Sequence, residues 1–242
     1  MGNFKVEIKL DRIHCYDEND GPGNAEPYLW TAFFKVDGET VVLKTDGDGP
    51  IKLVGIPTVV TTPGNHGNLG TTDVDEDDNI SIPAIIGKWT TTMRPIPFTR
   101  PLLGKTETDG LIGVCLILME EDFTPNDAIA HGHNALNSGI RDGLAKILSQ
   151  ISLSHTEISN RDISNVTSTV TDSVKNAISS NVNIWEWIAG WGNQDDQIGS
   201  EVFRWSQTDL VHSSGAPIPF SHRWKHEGDW EIFGHVTATE IK

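Results

Sequence analysis

The chain contains one nearly continuous apolar run, Leu111-Ile112-Gly113-Val114-Cys115-Leu116-Ile117-Leu118-Met119. A short strand that is apolar at almost every position is typical of a strand with both faces buried. The run therefore predicts a central, fully buried β-strand, and the rest of the fold is considered outward from it.

Segments on both sides of this run are also typical of β-strands. Residues 3–16 alternate between apolar and polar side chains, and residues 28–36 are aromatic and β-branched. The pair Asp37-Gly38 then predicts the turn of a β-hairpin that leads into a strand at 40–44. Further strand candidates cover residues 51–62, 80–91, 200–205 and 230–236. The fold class is accordingly predicted to be mainly β and antiparallel, as a β-sandwich.

The composition changes after the apolar strand. Thr124-Pro125 is typical of a helix start, with Thr as the N-cap and Pro at the first helical position. A stripe with helical spacing follows, formed by Ile129, His133, Leu136, Ile140, Leu144, Ile147 and Ile151. A second stripe between residues 163 and 178 predicts a partner helix over about 160–182. We expect a helical hairpin at about 125–182, inserted at about 124–190 into a single domain spanning 1–242.

Composition and charge exclude several classes of function. The net charge is −16, which argues against nucleic acid as a partner because phosphate binding needs a basic surface. An anionic membrane would also repel this acidic protein unless bound cations reversed the local charge. No apolar run approaches the ~20 residues of a membrane span, and Met1–Val6 lacks the core of a signal peptide. We expect a cytoplasmic protein, a mature form, or one exported without such a signal.

Cys15 and Cys115 are the two cysteines of the chain, and both occur in apolar, strand-like segments. We expect two buried thiols that pack as small hydrophobic side chains. The alternative is one disulfide, if their strands are neighbours.

Two acidic loops far apart in the chain indicate a metal site. They are Asp17-Glu18-Asn19-Asp20-Gly21-Pro22-Gly23-Asn24-Ala25-Glu26-Pro27-Tyr28 and Asn193-Gln194-Asp195-Asp196-Gln197-Ile198-Gly199. Carboxylates gathered on a loop repel one another unless they are solvated or bridged by a cation. A ligand set made only of oxygen atoms, without Cys or clustered His, indicates calcium rather than zinc.

The two loops and the strands beside them resemble parts of a C2 domain. An acidic loop, Glu26-Pro27-Tyr28 and an aromatic strand resemble its first part. Asp195-Asp196 before Ile198-Gly199 is similar to its last calcium loop, and Met119–Asp122 is similar to the strand leading into that loop. The resemblance implies an eight-stranded β-sandwich that binds calcium between loops at one end, with the helical hairpin inserted in the last loop.

The resemblance also implies a ligand set and a kind of partner. Calcium takes six to eight oxygen ligands, and the candidates for them are Asp17, Asp20, Glu26, Asp122, Asp195 and Asp196. Many C2 domains then bind phospholipid or a protein. This chain departs from the pattern in carrying Glu26 where the family usually has Asp, and in lacking a basic cluster for phosphoinositides.

Other candidate sites have two interpretations each. Asp73, Asp75 and Asp77 alternate as EF-hand ligands do, but the required Gly and distal Glu are missing. A solvated loop is the favoured interpretation of these acids, with a second calcium site as the alternative. For His222 and His226, a polar surface is favoured over a metal or acid–base site.

The tryptophans and histidines of the insertion complete the candidates. His133 falls on the helical stripe and is expected to pack in the interior. Trp191, beside the second acidic loop, is a candidate partner-binding residue, whereas Trp185 and Trp187 are expected to seal the join between hairpin and sandwich.

We find no catalytic motif in the sequence, so we expect a binding protein, and a hydrolase that uses the same calcium loops is the least favoured hypothesis. The first hypothesis is a calcium-binding C2-like module that mediates calcium-dependent binding or assembly with a membrane or a protein. The alternative is a structural subunit of a secreted or surface filament, matrix or toxin complex. There calcium would be a structural staple and self-assembly would use protein–protein contacts.

Overall fold

The computed structural model describes residues 2–19, 24–45, 51–102, 104–121, 133–134, 137–143, 145–146, 152–153, 197–213 and 215–241. Its structure is mostly β. The strands are β1 (Asn3–Asp17), β2 (Pro27–Val36), β3 (Val41–Lys44), β4 (Ile51–Gly55), β5 (Thr58–Thr61), β6 (Asn79–Ser81), β7 (Lys88–Met93), β8 (Ile96–Leu102), β9 (Lys105–Thr108), β10 (Leu111–Glu120), β11 (Ser152–Leu153), β12 (Gln197–Ser206), β13 (Ile218–Trp224) and β14 (Asp229–Ile241).

The apolar run forms β10, and its central position is confirmed. β10 lies inside an antiparallel sheet of order β12-β10-β2-β5, which we call the central sheet. Every residue of β10 and of β2 is buried. A strand acquires this pattern only when both faces of its sheet are covered, and two further layers cover the central sheet.

The first covering layer is an antiparallel sheet of order β13-β14-β1-β6, which we call the outer sheet. Its strands alternate between buried and partly exposed residues, as expected when one face meets the core and the other meets solvent. The strand candidate at 80–91 is interrupted by a one-turn helix, α1 (Ala84–Gly87). Consequently β6 and β7 pair with β1 separately, at Arg12–His14 and at Phe4–Lys9.

The second covering layer is a mixed sheet of order β11-β4-β3-β8-β9, which we call the third sheet. Its pairings are antiparallel except between β3 and β8, where Leu43 lies beside Phe98 in parallel register. The expected all-antiparallel arrangement is therefore incomplete, because β8 enters this layer from a separate part of the chain.

The two cysteines lie in different buried clusters, on opposite sides of the central sheet. Cys15 packs in the cluster between the outer and central sheets, and Cys115 packs in the cluster between the central and third sheets. Both thiols are free and buried. The prediction of buried thiols is confirmed, and the alternative of a disulfide is wrong because the central sheet separates the two residues.

The predicted hairpin at Asp37-Gly38 is also wrong. The turn exists, but β2 pairs with β10 and β5, whereas β3 pairs with β4 and β8. Asp37 is fully buried, accepts hydrogen bonds from the backbone amides of Glu39 (3.3 Å) and Arg94 (3.0 Å), and lies 3.3 Å from the Lys35 ammonium. Asp37 therefore lies at a corner, where the chain leaves the central sheet and enters the third sheet.

The helical hairpin lies mostly outside the described residues. Residues 133–134, 137–143 and 145–146 are helical, and Ile140 is fully buried in the cluster between the central and third sheets. The predicted second helix and Leu144 are outside the described part of the chain. Within that part, no helix is both long and apolar enough to span a bilayer.

Candidate functional site

The strand ends that flank the two predicted calcium loops meet at one end of the packed sheets. β1 and β10 end there, and β2 and β12 begin there. Cys15, Leu29, Leu118 and Ile198, each near one of these strand ends, share one buried cluster. The register pairs Glu120 with Pro27 at this end. Because both acidic loops adjoin these strand ends, we call it the acidic end.

The predicted metal ligands are only partly within the described residues. Asp17 and Glu26 are described, and both lie at the acidic end. Asp20, Asp122, Asp195 and Asp196 lie outside the described residues, as do Trp185, Trp187 and the predicted partner-binding residue Trp191. Their assignment as ligands and partner contacts stays a prediction.

Asp17 is exposed and begins a tight turn. Its carboxylate accepts a hydrogen bond from the amide of Asn19 at 3.1 Å, and Asn19 has a left-handed φ of 59°. Asn tolerates this conformation better than most residues because its short side chain bonds locally. The turn lies at the rim of the acidic end, directly after β1.

Glu18, which the sequence analysis did not select, is the most informative residue at this end. Its Oε2 atom is buried and has no hydrogen-bond partner within the described part of the chain. Burial, together with the negative charges of Glu18, Asp17 and Asp78, raises the pKa of the Cys15 thiol to about 12. Three carboxylates therefore concentrate negative charge around one buried position. The sequence feature that could have indicated Glu18 as a site residue was its position next to Asp17.

Glu26 and Glu121 face each other across two neighbouring strands. The amide of Glu121 donates to the carbonyl of Glu26 at 3.1 Å, which continues the pairing of β10 with β2 by one residue. Directly opposed residues of an antiparallel pair project from the same face, and like charges placed so are destabilising. Glu121 is compensated by His66, whose Nδ1 lies 2.9 Å from its carboxylate.

Glu120 projects from the opposite face of β10. It follows Leu116 and Leu118 in the alternation of the strand, and these residues pack toward the outer sheet. Glu120 itself is only 8% exposed. The acidic end thus holds carboxylates on both faces of the central sheet, with Glu120 on the side of β1.

Gln197 lies beside these acids at the start of β12, opposite Met119. Neither the oxygen nor the nitrogen of its side-chain amide has a hydrogen-bond partner within the described residues, and both atoms are buried. Buried polar groups normally find partners, so Gln197 is a second unsatisfied side chain at this end.

The described histidines of the candidate sites contact separate partners. His222 lies 2.8 Å from the carboxylate of Glu201, whereas His226 contacts the carbonyl oxygen of Gln197 at 3.1 Å. His133 is buried against Trp30, with ring centroids 5.6 Å apart, and burial lowers its pKa. The prediction that His133 packs in the interior is confirmed.

The acidic run at 73–78 forms an exposed loop. Its five acidic side chains are all exposed, and the carboxylate of Asp78 accepts a hydrogen bond from the amide of Asp75 at 3.0 Å. Asp77 has a left-handed φ of 67°. Among the residues that the structure describes, no group of three or more His, Cys, Asp and Glu side chains is arranged to hold a metal ion, in this loop or elsewhere.

A scan against protein-family models gives no match for this chain, and a search of curated proteins finds no significantly similar sequence. Inference about function therefore starts from the acidic end and its contacts.

Proposed function

We propose that the acidic end binds calcium and that the protein is a calcium-dependent binding or assembly module. The observation that carries this proposal is the buried Oε2 of Glu18, which has no partner in the described residues. A buried carboxylate oxygen without a partner costs about 1–3 kcal/mol unless it is neutralised or coordinated. A cation at this position would remove that cost.

The donors favour a hard cation. The described carboxylates at this end include those of Asp17, Glu18, Glu26 and Glu120, and the neighbouring predicted ligands are Asp20, Asp122, Asp195 and Asp196. Calcium takes six to eight oxygen ligands at ~2.3–2.6 Å and accepts irregular loop geometry.

Zinc is disfavoured by the neighbouring nitrogen and sulfur atoms. Zinc would select thiolate and imidazole ligands. The Cys15 thiol stays protonated at neutral pH, since its pKa is raised to about 12. The ring nitrogens identified near this end already have partners: Nδ1 of His66 lies beside the Glu121 carboxylate, and Nδ1 of His226 contacts the carbonyl oxygen of Gln197.

The loops at this end would then act as in a C2-like sandwich with an inserted helical hairpin. Without calcium, the carboxylates repel anionic surfaces and each other. Bound calcium would neutralise the rim, and the loops, with Trp191, would contact a membrane or a protein. A structural subunit stapled by calcium is the alternative. For that alternative, the described edge strand β13 offers little support, because Pro217 and Pro219 lie before and within it.

Calcium binding is tested by isothermal titration calorimetry on three chains. The unmodified protein should bind calcium, and Glu18→Gln should weaken binding at least about tenfold, equivalent to ~1.4 kcal/mol. The matched control is Glu7→Gln on the same strand, where Glu7 pairs with Lys88 at 2.9 Å on the solvent-facing side of β1. Equal affinity of Glu18→Gln and the unmodified chain would remove Glu18 from the site.

A second experiment separates the two kinds of module. Size-exclusion chromatography and liposome flotation are run in calcium and in chelator. A monomer that floats with anionic vesicles only in calcium supports membrane binding. A calcium-driven series of oligomers supports the structural subunit.

A further inference from the structure

A β-bulge in the outer sheet places a carboxylate against a histidine far from the acidic end. Along β1 and β14 the register pairs Leu10 with Gly234 and then Arg12 with Phe233, so Asp11 is an extra residue without an opposite partner. Bulges re-aim side chains and are frequent beside functional sites. Here the bulge directs the Asp11 carboxylate to Nδ1 of His235, at 2.6 Å.

The contacts of Asp11 determine which nitrogen of His235 is free. Partial burial raises the pKa of Asp11, but hydrogen bonds from Lys9 (2.8 Å) and His235 outweigh it, and the net pKa is lowered. The ionised carboxylate accepts a hydrogen bond from Nδ1–H. In the neutral imidazole, Nε2 is then the acceptor.

His235 lies in a groove of about 520 Å³ beside the β13–β14 pair. In the register, Pro219 is opposite His235 and Ser221 is opposite Phe233, so these four residues occupy one face. The remaining lining residues are Asp11, Pro217, Phe220 and Gly234. The guanidinium of Arg12 stacks on the Phe233 ring at 3.7 Å and holds it in place.

The groove combines an apolar floor with a few convergent polar groups, which is the usual constitution of a small-molecule site. Its polar groups are the imidazole of His235, the hydroxyl of Ser221 and the carboxylate of Asp11. The charge on Asp11 is already balanced by the Lys9 ammonium. A strongly charged ligand would therefore find no unbalanced charge here.

We propose that this groove binds a neutral saccharide. A sugar ring has a face of C–H groups that packs on aromatic and proline rings, and edge hydroxyls that donate and accept hydrogen bonds. Nε2 of His235 accepts from one hydroxyl, and Ser221 both donates and accepts. The groove shares no residue with the acidic end, so saccharide binding can be tested separately from calcium binding.

The test is an NMR titration of the ¹⁵N-labelled, unmodified protein with four neutral oligosaccharides: cellohexaose, maltohexaose, xylohexaose and hexa-N-acetylchitohexaose. At least one should bind with a Kd below about 1 mM, and the largest amide shifts should be at Phe233, Gly234 and His235. No shift with any of the four, or shifts centred elsewhere, would overturn the proposal.

Variants assign the interaction to the groove. His235→Ala should weaken binding at least about tenfold, and Ser221→Ala should weaken it less. His222→Ala is the matched control, because His222 is also a partly exposed histidine paired with a carboxylate, Glu201, but does not line the groove. Unchanged binding in His235→Ala, or equal loss in His222→Ala, contradicts the site. Folding of each variant is checked by its amide spectrum.

Discussion

The two ends of β12 differ in how they satisfy their glutamines. At the C-terminal end, Gln207 accepts from the amide of Gly110 at 2.8 Å and donates to the carbonyl of Gly2 at 3.0 Å. At the N-terminal end, both amide atoms of Gln197 are buried without a partner in the described residues. The same strand thus joins an end whose glutamine is satisfied, which we call the closed end, to an end whose glutamine has no partner in the described residues. One oxygen at the closed end, Oδ1 of the buried Asp109, also has no partner there.

The surroundings of the two ends differ in the same way. The closed end is sealed by an apolar cluster that includes Phe33, Trp205 and Leu210. It is also sealed by helix α2 (Gln207–His212), whose capping box joins Ser206 and Asp209. The acidic end instead gathers the carboxylates around Glu18. The proposed calcium site belongs to the acidic end, so the two ends should respond differently to calcium.

The largest expected effect is at the closed end. Phe33→Ala removes a fully buried ring and should lower the free energy of unfolding by ~3–5 kcal/mol. Urea unfolding should give the same loss in calcium and in chelator, because distant sites act additively. Val211→Ala, at a half-exposed position, is the control and should change stability by no more than ~0.5 kcal/mol. A Phe33→Ala loss that calcium abolishes would show that the ends are not separate.

Glu18→Gln should have opposite effects in the two conditions. In chelator it replaces a carboxylate whose Oε2 atom is buried without a partner in the described residues, and it should stabilise the protein by ~1–2 kcal/mol. In calcium it should lose most of the stabilisation that calcium gives the unmodified chain. Thermal unfolding of Glu18→Gln and the Glu7→Gln control in both conditions measures this. Destabilisation of Glu18→Gln in chelator would mean that Glu18 has a stabilising partner.

Asp17→Asn and Asp196→Asn test whether the two acidic loops serve one site. Each change should weaken calcium binding by ~1–3 kcal/mol, and the double variant should lose little more than the worse single variant. Residues that share one ligand are not additive. Calorimetric titration of the four chains gives the coupling, and fully additive losses would indicate two separate sites.

The smallest expected effect concerns His133 and pH. Burial lowers the pKa of His133 in the folded protein, so the unfolded chain, with a histidine pKa near ~6.5, binds the proton more readily. The stability contribution of neutral His133 is present above about pH 6.5 and decreases as pH falls below it. Between about pH 7.5 and 5.5, His133→Phe should therefore lose less stability than the unmodified chain. Urea unfolding across this pH range measures the difference, and an equal pH dependence in His133→Phe and the unmodified chain would contradict the prediction.

The elements with strong local patterns were predicted, and the pairings between them were not. The apolar run gave β10, and alternation gave β1 and β14. Asp37-Gly38 has the same local chemistry in a corner as in a hairpin, and only its buried contacts with Lys35 and Arg94 decide between them. The third sheet depends on pairings between distant segments, which no short-range pattern specifies.

The sequence predicted the type of candidate site, an acidic loop, but not which of its residues is buried. The sequence indicated acids at the loop after β1, but it did not distinguish Glu18 from the exposed Asp17. That distinction depends on burial beside Cys15, which is a property of the packed sheets. The pairing of His66 with Glu121 likewise joins two segments distant in sequence and had no signal in the spacing of residues.

The central claim is most directly tested by thermal unfolding of the unmodified chain in chelator and in increasing calcium. If calcium binds the folded protein alone, stability rises by RT ln(1 + [L]/Kd), or ~2.7 kcal/mol at a hundredfold excess over Kd. The account predicts a melting temperature that rises with calcium and does not rise with magnesium at equal concentration. A melting temperature that is the same in chelator and in millimolar calcium would contradict it.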